Sequence, residues 1–189
     1  MVPLRLVAGT LVVGLALAGG SAAAAPDWTL VPEASRLGFT ARQGAQPIEG
    51  GFARWTARIR FDPADLPGSA VEVVVDLTSV ATGDPARDKQ AQAAEFFDSA
   101  RTPEARYRSR AFKALGGDRF EVEAELTMKG VTRPVAHTVR IAIEGDRATA
   151  EGEVPLRRRD FGFGSGLFDS EQVLGAEILV RFSLQARRP

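Results

Sequence analysis

The chain has no cysteine, and this absence removes several classes of function at once. Without thiols there is no disulfide framework, no thiolate nucleophile, no cysteine-based metal site and no lipid-modified N-terminal cysteine. Histidine occurs once, at His137, so a site built from several histidine ligands is excluded within one chain. We therefore expect neither a metal nor a cofactor.

The motifs of common enzyme classes are also missing. A Ser-His-Asp hydrolase would need His137, which lies in an apolar strand pattern, and no Gly-x-Ser-x-Gly elbow is present. The glycine-rich run 162–166 is not followed by a helical pattern, so it is not a dinucleotide-binding fingerprint. Because general acid–base residues are missing from the inward strand faces, we predict that the protein is not an enzyme.

Charge gives no sign of a nucleic-acid partner, because 24 basic residues balance 24 acidic ones. Residues 1–24 have the composition of a secretory signal peptide. Arg5 supplies the positive charge, residues 6–18 are apolar, and small residues follow at 21–25. The apolar stretch is too short to span a bilayer, so we expect no stable membrane insertion. Cleavage after Ala24 would leave residues 25–189 as one exported domain.

Elsewhere, apolar residues mostly recur with a period of two, which is typical of half-buried strands. The run 48–61 changes phase near Ala53 and Arg54, which predicts a bulge or bend. This pattern predicts about eight or nine strands joined by short turns. An antiparallel series with one apolar face per strand must close or stack to hide that face. We predict an all-β fold, an antiparallel lipocalin-like barrel of about eight strands.

One predicted hairpin has a charge pattern that would fix its register. In the first strand Ala105, Tyr107, Ser109 and Ala111 should face inward, with three arginines between them facing outward. A two-residue turn at 116–117 would place Arg110 opposite Glu123 and Arg108 opposite Glu125.

The segment 79–110 breaks the strand pattern. Asp84 followed by Pro85 has the character of an N-cap with proline at the first helical position, and good helix formers follow. Phe96 and Phe97 end the segment. Two interpretations remain open: a surface helix that places two phenylalanines on the core, or one short lid helix over the mouth of the barrel.

Three motifs, in this order and spacing, resemble the YceI family. The first is SVATG at 79–83, followed by Arg-Asp and then by EFFD at 95–98. The second, LTMKGVTRPV at 126–135, is similar to the family's L-T-x-x-G-V-T-[RK]-P-V. The third, LRRRDFG at 156–162, is like the family's I-N-R-x-D-F-G. The resemblance covers most of residues 28–184.

The resemblance implies a periplasmic protein that binds a polyisoprenoid or another long-chain lipid. Members commonly carry histidine where this chain has Gln43 and Gln90. The resemblance therefore implies the family's fold and ligand class, but not its contacts with the ligand headgroup. The sequence leaves a homodimer open.

Small residues among the large ones on the inward faces would leave volume for a hydrocarbon chain. The alternative is a tapered, filled core, as in a structural or stress-related periplasmic protein without a ligand. The side chains expected to line the lumen or its lid are Phe39, Phe52, Trp55, Ile59, Val73, Val75, Phe96, Phe97, Tyr107, Val122, Ala124, Leu126, His137, Val139 and Ile178.

Three polar residues have two interpretations each. Arg87 and Arg158 are candidate contacts for an anionic headgroup, because a guanidinium matches phosphate geometry. Alternatively, Arg158 pairs with Asp160, or with the lid at Arg87 and Asp88, and ties the lid to the barrel. His137 is either a satisfied core or rim residue or a hydrogen-bond donor to a polar group of the ligand.

We predict that the exported protein begins at Ala25. N-terminal sequencing of protein isolated from the periplasm should read Ala25-Pro26-Asp27. An intact Met1 on soluble protein would contradict the prediction.

Overall fold

The computed structural model describes residues 24–189. The predicted signal peptide, residues 1–24, lies outside the described residues except for Ala24. The strands are β1 (Asp27–Leu30), β2 (Arg36–Gln43), β3 (Gln46–Phe52), β4 (Trp55–Arg60), β5 (Ala70–Asp76), β6 (Val80–Ala81), β7 (Glu104–Gly116), β8 (Arg119–Met128), β9 (Val131–Glu144), β10 (Arg147–Arg157) and β11 (Glu177–Arg187), with helix α1 (Pro85–Gln92) between β6 and β7.

All strand pairs are antiparallel, and eight strands close into a barrel in the order β1-β4-β5-β7-β8-β9-β10-β11, with β11 returning to β1. At one end β11 also pairs with β2, which continues through β3 to β6. β1 and β2 are therefore two halves of one bent strand, separated by the short 3₁₀ turn Pro32–Ala34. The predicted antiparallel barrel with one helix is confirmed.

The predicted bend at Ala53 and Arg54 is also confirmed, because β3 ends just before it and β4 begins just after it. The Arg54 backbone N–H donates to Ser79 Oγ at 3.0 Å, and its side chain donates to Asp76 Oδ2 at 2.8 Å. The neighbouring strand breaks at the same level, through the 3₁₀ turn Leu77–Ser79. The two neighbouring strands are therefore interrupted together, and the backbone N–H of Ala53 also donates to the Ser79 carbonyl oxygen at 3.1 Å.

The β7–β8 hairpin corrects one prediction about which side chains face inward. Its two-residue turn lies at 117–118, one residue later than expected. Register shifts then occur near the turn and between Ser109 and Ala111. Because a bulge adds one residue to a single strand, Ala111 lies on the outer surface and Phe112 turns inward. The prediction that Ala111 faces inward is wrong.

The outward charges of this hairpin form pairs, but the partners differ from the predicted ones. Arg108 lies opposite Glu125 in register, as predicted, yet it forms an ion pair with Glu72, with Nε 2.8 Å from Oε1. Glu125 instead binds Arg110, the extra residue of the bulge. Ala111, not Arg110, lies opposite Glu123, so that predicted pair is wrong. These pairs are exposed, and each contributes about 0–1 kcal/mol.

The end of the barrel away from α1 is closed by packed aromatic rings. Trp28 is 4% exposed, and its indole Nε1–H donates to the Phe61 carbonyl oxygen at 2.9 Å. The Phe61 ring packs against Phe112 and Phe120, with ring centroids 5.4 and 5.2 Å apart. This cluster forms a floor beneath the lumen.

We predict that Arg110 and Glu125, rather than Arg110 and Glu123, are energetically coupled. Either Arg110→Glu or Glu125→Arg alone should lower the free energy of unfolding by at most about 1 kcal/mol. The two changes together exchange the charges and should restore most of that loss. The free energy of urea unfolding over a double-mutant cycle measures the coupling.

The matched control combines Arg110→Glu with Glu123→Arg, for which we expect no coupling. Stronger coupling at Glu123 than at Glu125 would contradict the bulged register.

Candidate functional site

The lid, residues 84–98, is α1 together with the turn that follows it. The Asp84 carboxylate caps the helix as predicted, accepting from the N–H groups of Ala86 at 2.9 Å and Arg87 at 3.3 Å. Asp88 then ties the helix to the barrel, because its Oδ1 accepts from both the N–H and the hydroxyl of Thr82, at 2.8 and 2.6 Å. No residue of the helix is fully buried, so its main effect is to position the phenylalanines of the turn.

Those phenylalanines seal the lid against the loop 162–176. Phe96 packs on Phe168 with ring centroids 5.0 Å apart, and Phe97 packs on Phe163 at 5.3 Å. Between the two ring pairs, the Gly164 N–H donates to the Glu95 carbonyl oxygen at 2.7 Å. These contacts place the helix and its turn across one end of the barrel, as expected of a lid.

Arg158 holds this loop from beneath, and it does so through backbone carbonyls. The residue is fully buried, and no carboxylate lies within ion-pair distance of its guanidinium among residues 24–189. The predicted ion pair is therefore wrong; Asp160 is exposed to solvent. The guanidinium donates hydrogen bonds of 2.9–3.2 Å to the carbonyl oxygens of Phe163, Gly164, Asp169, Leu174 and Gly175.

These bonds explain why a buried cation is tolerated here. An unpaired charge in the interior costs several kcal/mol, and carbonyl dipoles arranged around a guanidinium offset that cost. Its donors point into the loop and support the loop backbone. Arg87, by contrast, is 37% exposed at its side chain, with its guanidinium 3.7 Å from Asp84.

An apolar cavity of about 150 Å³ lies beneath the lid, in the middle of the barrel. Its wall includes seven of the predicted lumen residues: Phe52, Trp55, Val73, Val75, Tyr107, Leu126 and His137. The remaining wall residues are Leu37, Val71, Leu77, Ala105, Met128, Val154, Leu156, Val180, Phe182 and Leu184.

Two smaller cavities lie on either side of the central one. The upper cavity, about 90 Å³, is bounded by the lid and contains the predicted residues Phe39, Arg87, Phe96, Phe97 and Ile178. Gln43 and Gln90 also line it. The lower cavity, about 60 Å³, lies on the aromatic floor and includes the predicted Ile59.

Three predicted residues, Val122, Ala124 and Val139, point into the barrel and are buried, but they line none of these three cavities. Val122 and Val139 instead pack into the cluster around Phe61 and Phe120. The list of expected lumen residues omitted Val71 and Leu184, although both occupy alternating positions that face inward on recognised strands. The alternation of residues along a strand identifies which side chains face the lumen, but it does not show where cavities remain between them.

The only strongly polar side chains on the central cavity wall are Tyr107 and His137, and they satisfy each other. Tyr107 Oη lies 2.8 Å from His137 Nε2, and His137 Nδ1 lies 3.5 Å from the Thr138 carbonyl oxygen. Burial lowers the pKa of His137 and raises the pKa of Tyr107, so both side chains are neutral near pH 7.

The hydrogen bonds of this pair assign its protons. The Thr138 carbonyl can only accept, so the tautomer that satisfies both contacts carries its proton on Nδ1 and accepts from the Tyr107 hydroxyl at Nε2. His137 then has no N–H left for a ligand, which favours a satisfied wall residue over a donor to a polar group. The wall as a whole offers a ligand hydrocarbon contacts.

Neither a metal centre nor a membrane-spanning helix is found in the part of the chain that the structure describes. Within residues 24–189, no group of three or more histidine, aspartate or glutamate side chains is arranged to hold a metal ion. No helix in the same range is long and apolar enough to cross a bilayer.

Known proteins share both the sequence pattern and the fold. A UPF0312 protein of Azotobacter vinelandii is 30% identical over 178 residues, which cover 89% of this chain and 93% of the relative. Protein YceI of Escherichia coli O157:H7 is 29% identical over 173 residues, covering 87% and 90%. The crystal structure of Burkholderia cenocepacia BcnA has a TM-score of 0.79 at 27% identity, covering 82% of this chain and 98% of BcnA.

A polyisoprenoid binding domain from Saccharophagus degradans has a TM-score of 0.69 at 19% identity and covers 86% of this chain and 98% of that domain. At that identity the likeness supports the fold alone. The sequence pattern of the YceI-like domain matches residues 28–186. Because this match spans nearly all of the barrel, and relatives align along most of their length, the protein belongs to the YceI-like family.

Proposed function

We propose that the protein binds a long-chain amphiphilic lipid, a polyisoprenoid or a similar molecule, and carries it in the periplasm with the hydrocarbon part inside the barrel. The observation that carries this proposal is the apolar cavity under the lid, whose polar side chains bond to each other. The Saccharophagus degradans protein, a polyisoprenoid binding domain with the same fold, is a precedent for a ligand of this class in such a barrel.

The cavity chemistry favours a hydrocarbon over a polar ligand. Each methylene transferred from water to such a wall gains about 0.8 kcal/mol. A polar group placed beside the Tyr107–His137 pair would lose its hydration and find no free N–H on His137 in return. The headgroup therefore belongs outside the central cavity.

The lid end of the barrel suits that headgroup. Arg87, Gln43 and Gln90 line the upper cavity, and all three also reach solvent. The guanidinium and the two amides supply hydrogen-bond donors, and the amide oxygens accept. Arg87 is thus the candidate contact for an acidic or carbonyl-bearing headgroup, and Arg158 supports the loop behind it.

A long chain requires the upper and central cavities to join. The central volume of about 150 Å³ is below the roughly 300–1,000 Å³ typical of small-molecule sites. Phe52 lies between the two spaces, with its ring centroid 5.7 Å from that of Phe39 and 6.0 Å from that of Phe97. Rotation of these rings would open a path from the lid into the barrel.

Localisation follows from the predicted signal peptide at residues 1–24. A carrier that shields a hydrocarbon from water has a use in the aqueous space between two membranes. No catalytic step is proposed, because the inward-facing Tyr107 and His137 are neutral and bonded to each other.

The test places a large side chain in the central cavity from strand β7, and the control places the same side chain on the outer face of β7. Ala105 is 4% exposed and lines the central cavity, whereas Ala111 lies on the outer surface of β7. We expect Ala105→Phe to fold and to copurify without lipid, because the added ring occupies the space for the chain. Ala111→Phe should retain its lipid, measured by mass spectrometry of organic extracts.

Thermal melts distinguish the filled-core alternative. A core without slack would be overpacked by Ala105→Phe and lose about 1–3 kcal/mol, which corresponds to several degrees in Tm for a domain of this size. Such a loss, together with lipid-free wild-type protein, would favour a structural barrel. Lipid retained equally by both folded variants would place the binding site outside the lumen.

A further inference from the structure

The central and lower cavities meet at a constriction made by two side chains. Val71 on β5 and Leu184 on β11 line both spaces, which measure about 150 and 60 Å³. β5 and β11 are three positions apart around the eight-stranded ring, separated by β1 and β4. The two side chains thus enter the lumen from well-separated walls and stand at the boundary between the two cavities.

Both side chains are held in place by their strands. The Val71 N–H donates to Ser109 Oγ at 2.8 Å, at the start of the β7 bulge. Leu184 lies opposite Ala150 of β10, a small neighbour that leaves the leucine side chain free to extend into the lumen. The constriction is therefore a product of strand register and residue size rather than of a mobile loop.

The lower cavity lies against the aromatic floor of the barrel. Its wall is apolar apart from Thr149, and it includes Trp28 and Phe61, which are joined by the hydrogen bond from the indole N–H to the Phe61 carbonyl at 2.9 Å. A space with so few polar groups suits a hydrocarbon better than water, which needs two to four polar partners. A hydrocarbon chain that enters from the lid reaches it past Val71 and Leu184.

We propose that Val71 and Leu184 set the length of the hydrocarbon chain that the barrel accepts, with the chain end resting on them and the lower cavity left empty. The inference rests on the proposed function and adds a specificity determinant to it. A chain that enters from the lid gains contacts with every methylene until it reaches the constriction. Beyond that length, further methylenes remain outside the central cavity and gain little.

The experiment measures the affinity of straight-chain primary alcohols of increasing length for delipidated protein by titration calorimetry. Affinity should rise by about fourfold for each added methylene, the equivalent of about 0.8 kcal/mol, and then level off. Leu184→Ala joins the two cavities and should move this levelling point to longer alcohols. Val71→Ala opens the same constriction from the other wall and replaces Leu184→Ala if that variant does not fold.

Ala148→Val provides the matched control, because Ala148 lines the lower cavity and not the central one. Alone, it should leave the levelling point unchanged, since the wild-type chain does not reach the lower cavity. Combined with Leu184→Ala, it should return the levelling point to the wild-type length.

Two results would overturn the inference while leaving the proposed function intact. One is a shorter levelling point in Ala148→Val alone, which would mean that the wild-type chain already occupies the lower cavity. The other is an unchanged levelling point in both opening variants. Failure of every alcohol to bind would refute the proposed function itself, and the length determinant with it.

Discussion

A single buried guanidinium, that of Arg158, organises the loop against which the lid closes. Its hydrogen bonds gather the carbonyl oxygens of five residues between Phe163 and Gly175. Without it, buried carbonyls would lose their donors, at about 1–3 kcal/mol for each unsatisfied group. The loop also carries Phe163 and Phe168, the rings that receive Phe97 and Phe96 of the lid. One wall of the upper cavity thus depends on this cation, although Arg158 forms no ion pair with a lid residue.

The barrel below the lid combines a sealed floor with an unfilled middle. The aromatic cluster around Phe61 supplies close packing at the floor, whereas the cavities above it forgo contacts that a tightly packed core would have. A ligand that occupies the cavities restores those contacts and stabilises the folded state by mass action. Stability and binding are therefore coupled through the same wall residues.

The general fold follows from the sequence because its causes are local. Alternating apolar residues specify the strands, and Asp84 with Pro85 specifies the helix start. The β7 bulge cannot be predicted in the same way. Its extra residue, Arg110, continues the alternation of outward-facing arginines, so the sequence shows no interruption there. The change of face at Ala111 becomes evident only when the partner strand is present.

The candidate site was predictable to a similar degree. Parity placed Val73, Tyr107 and Leu126 on the lumen wall, but it could not separate them from Val122 or Ala124, which face inward beside filled space. Whether space remains depends on side chains that meet across the barrel, as Val71 and Leu184 do. The hydrogen bonds of Arg158 could not be predicted either, because its acceptors are backbone carbonyls, which every residue has.

The most direct test of the account is a crystal structure of wild-type protein purified without detergent or organic solvent. The account predicts continuous, elongated electron density that runs from the upper cavity past Phe52 into the central cavity and stops above Val71 and Leu184. It also predicts that the ring of Phe52 or Phe97 is displaced, so that the two centroids no longer lie 6.0 Å apart. A lumen filled by its own side chains, or lipid density confined to the outer surface, would contradict the central claim that the barrel interior holds the hydrocarbon chain.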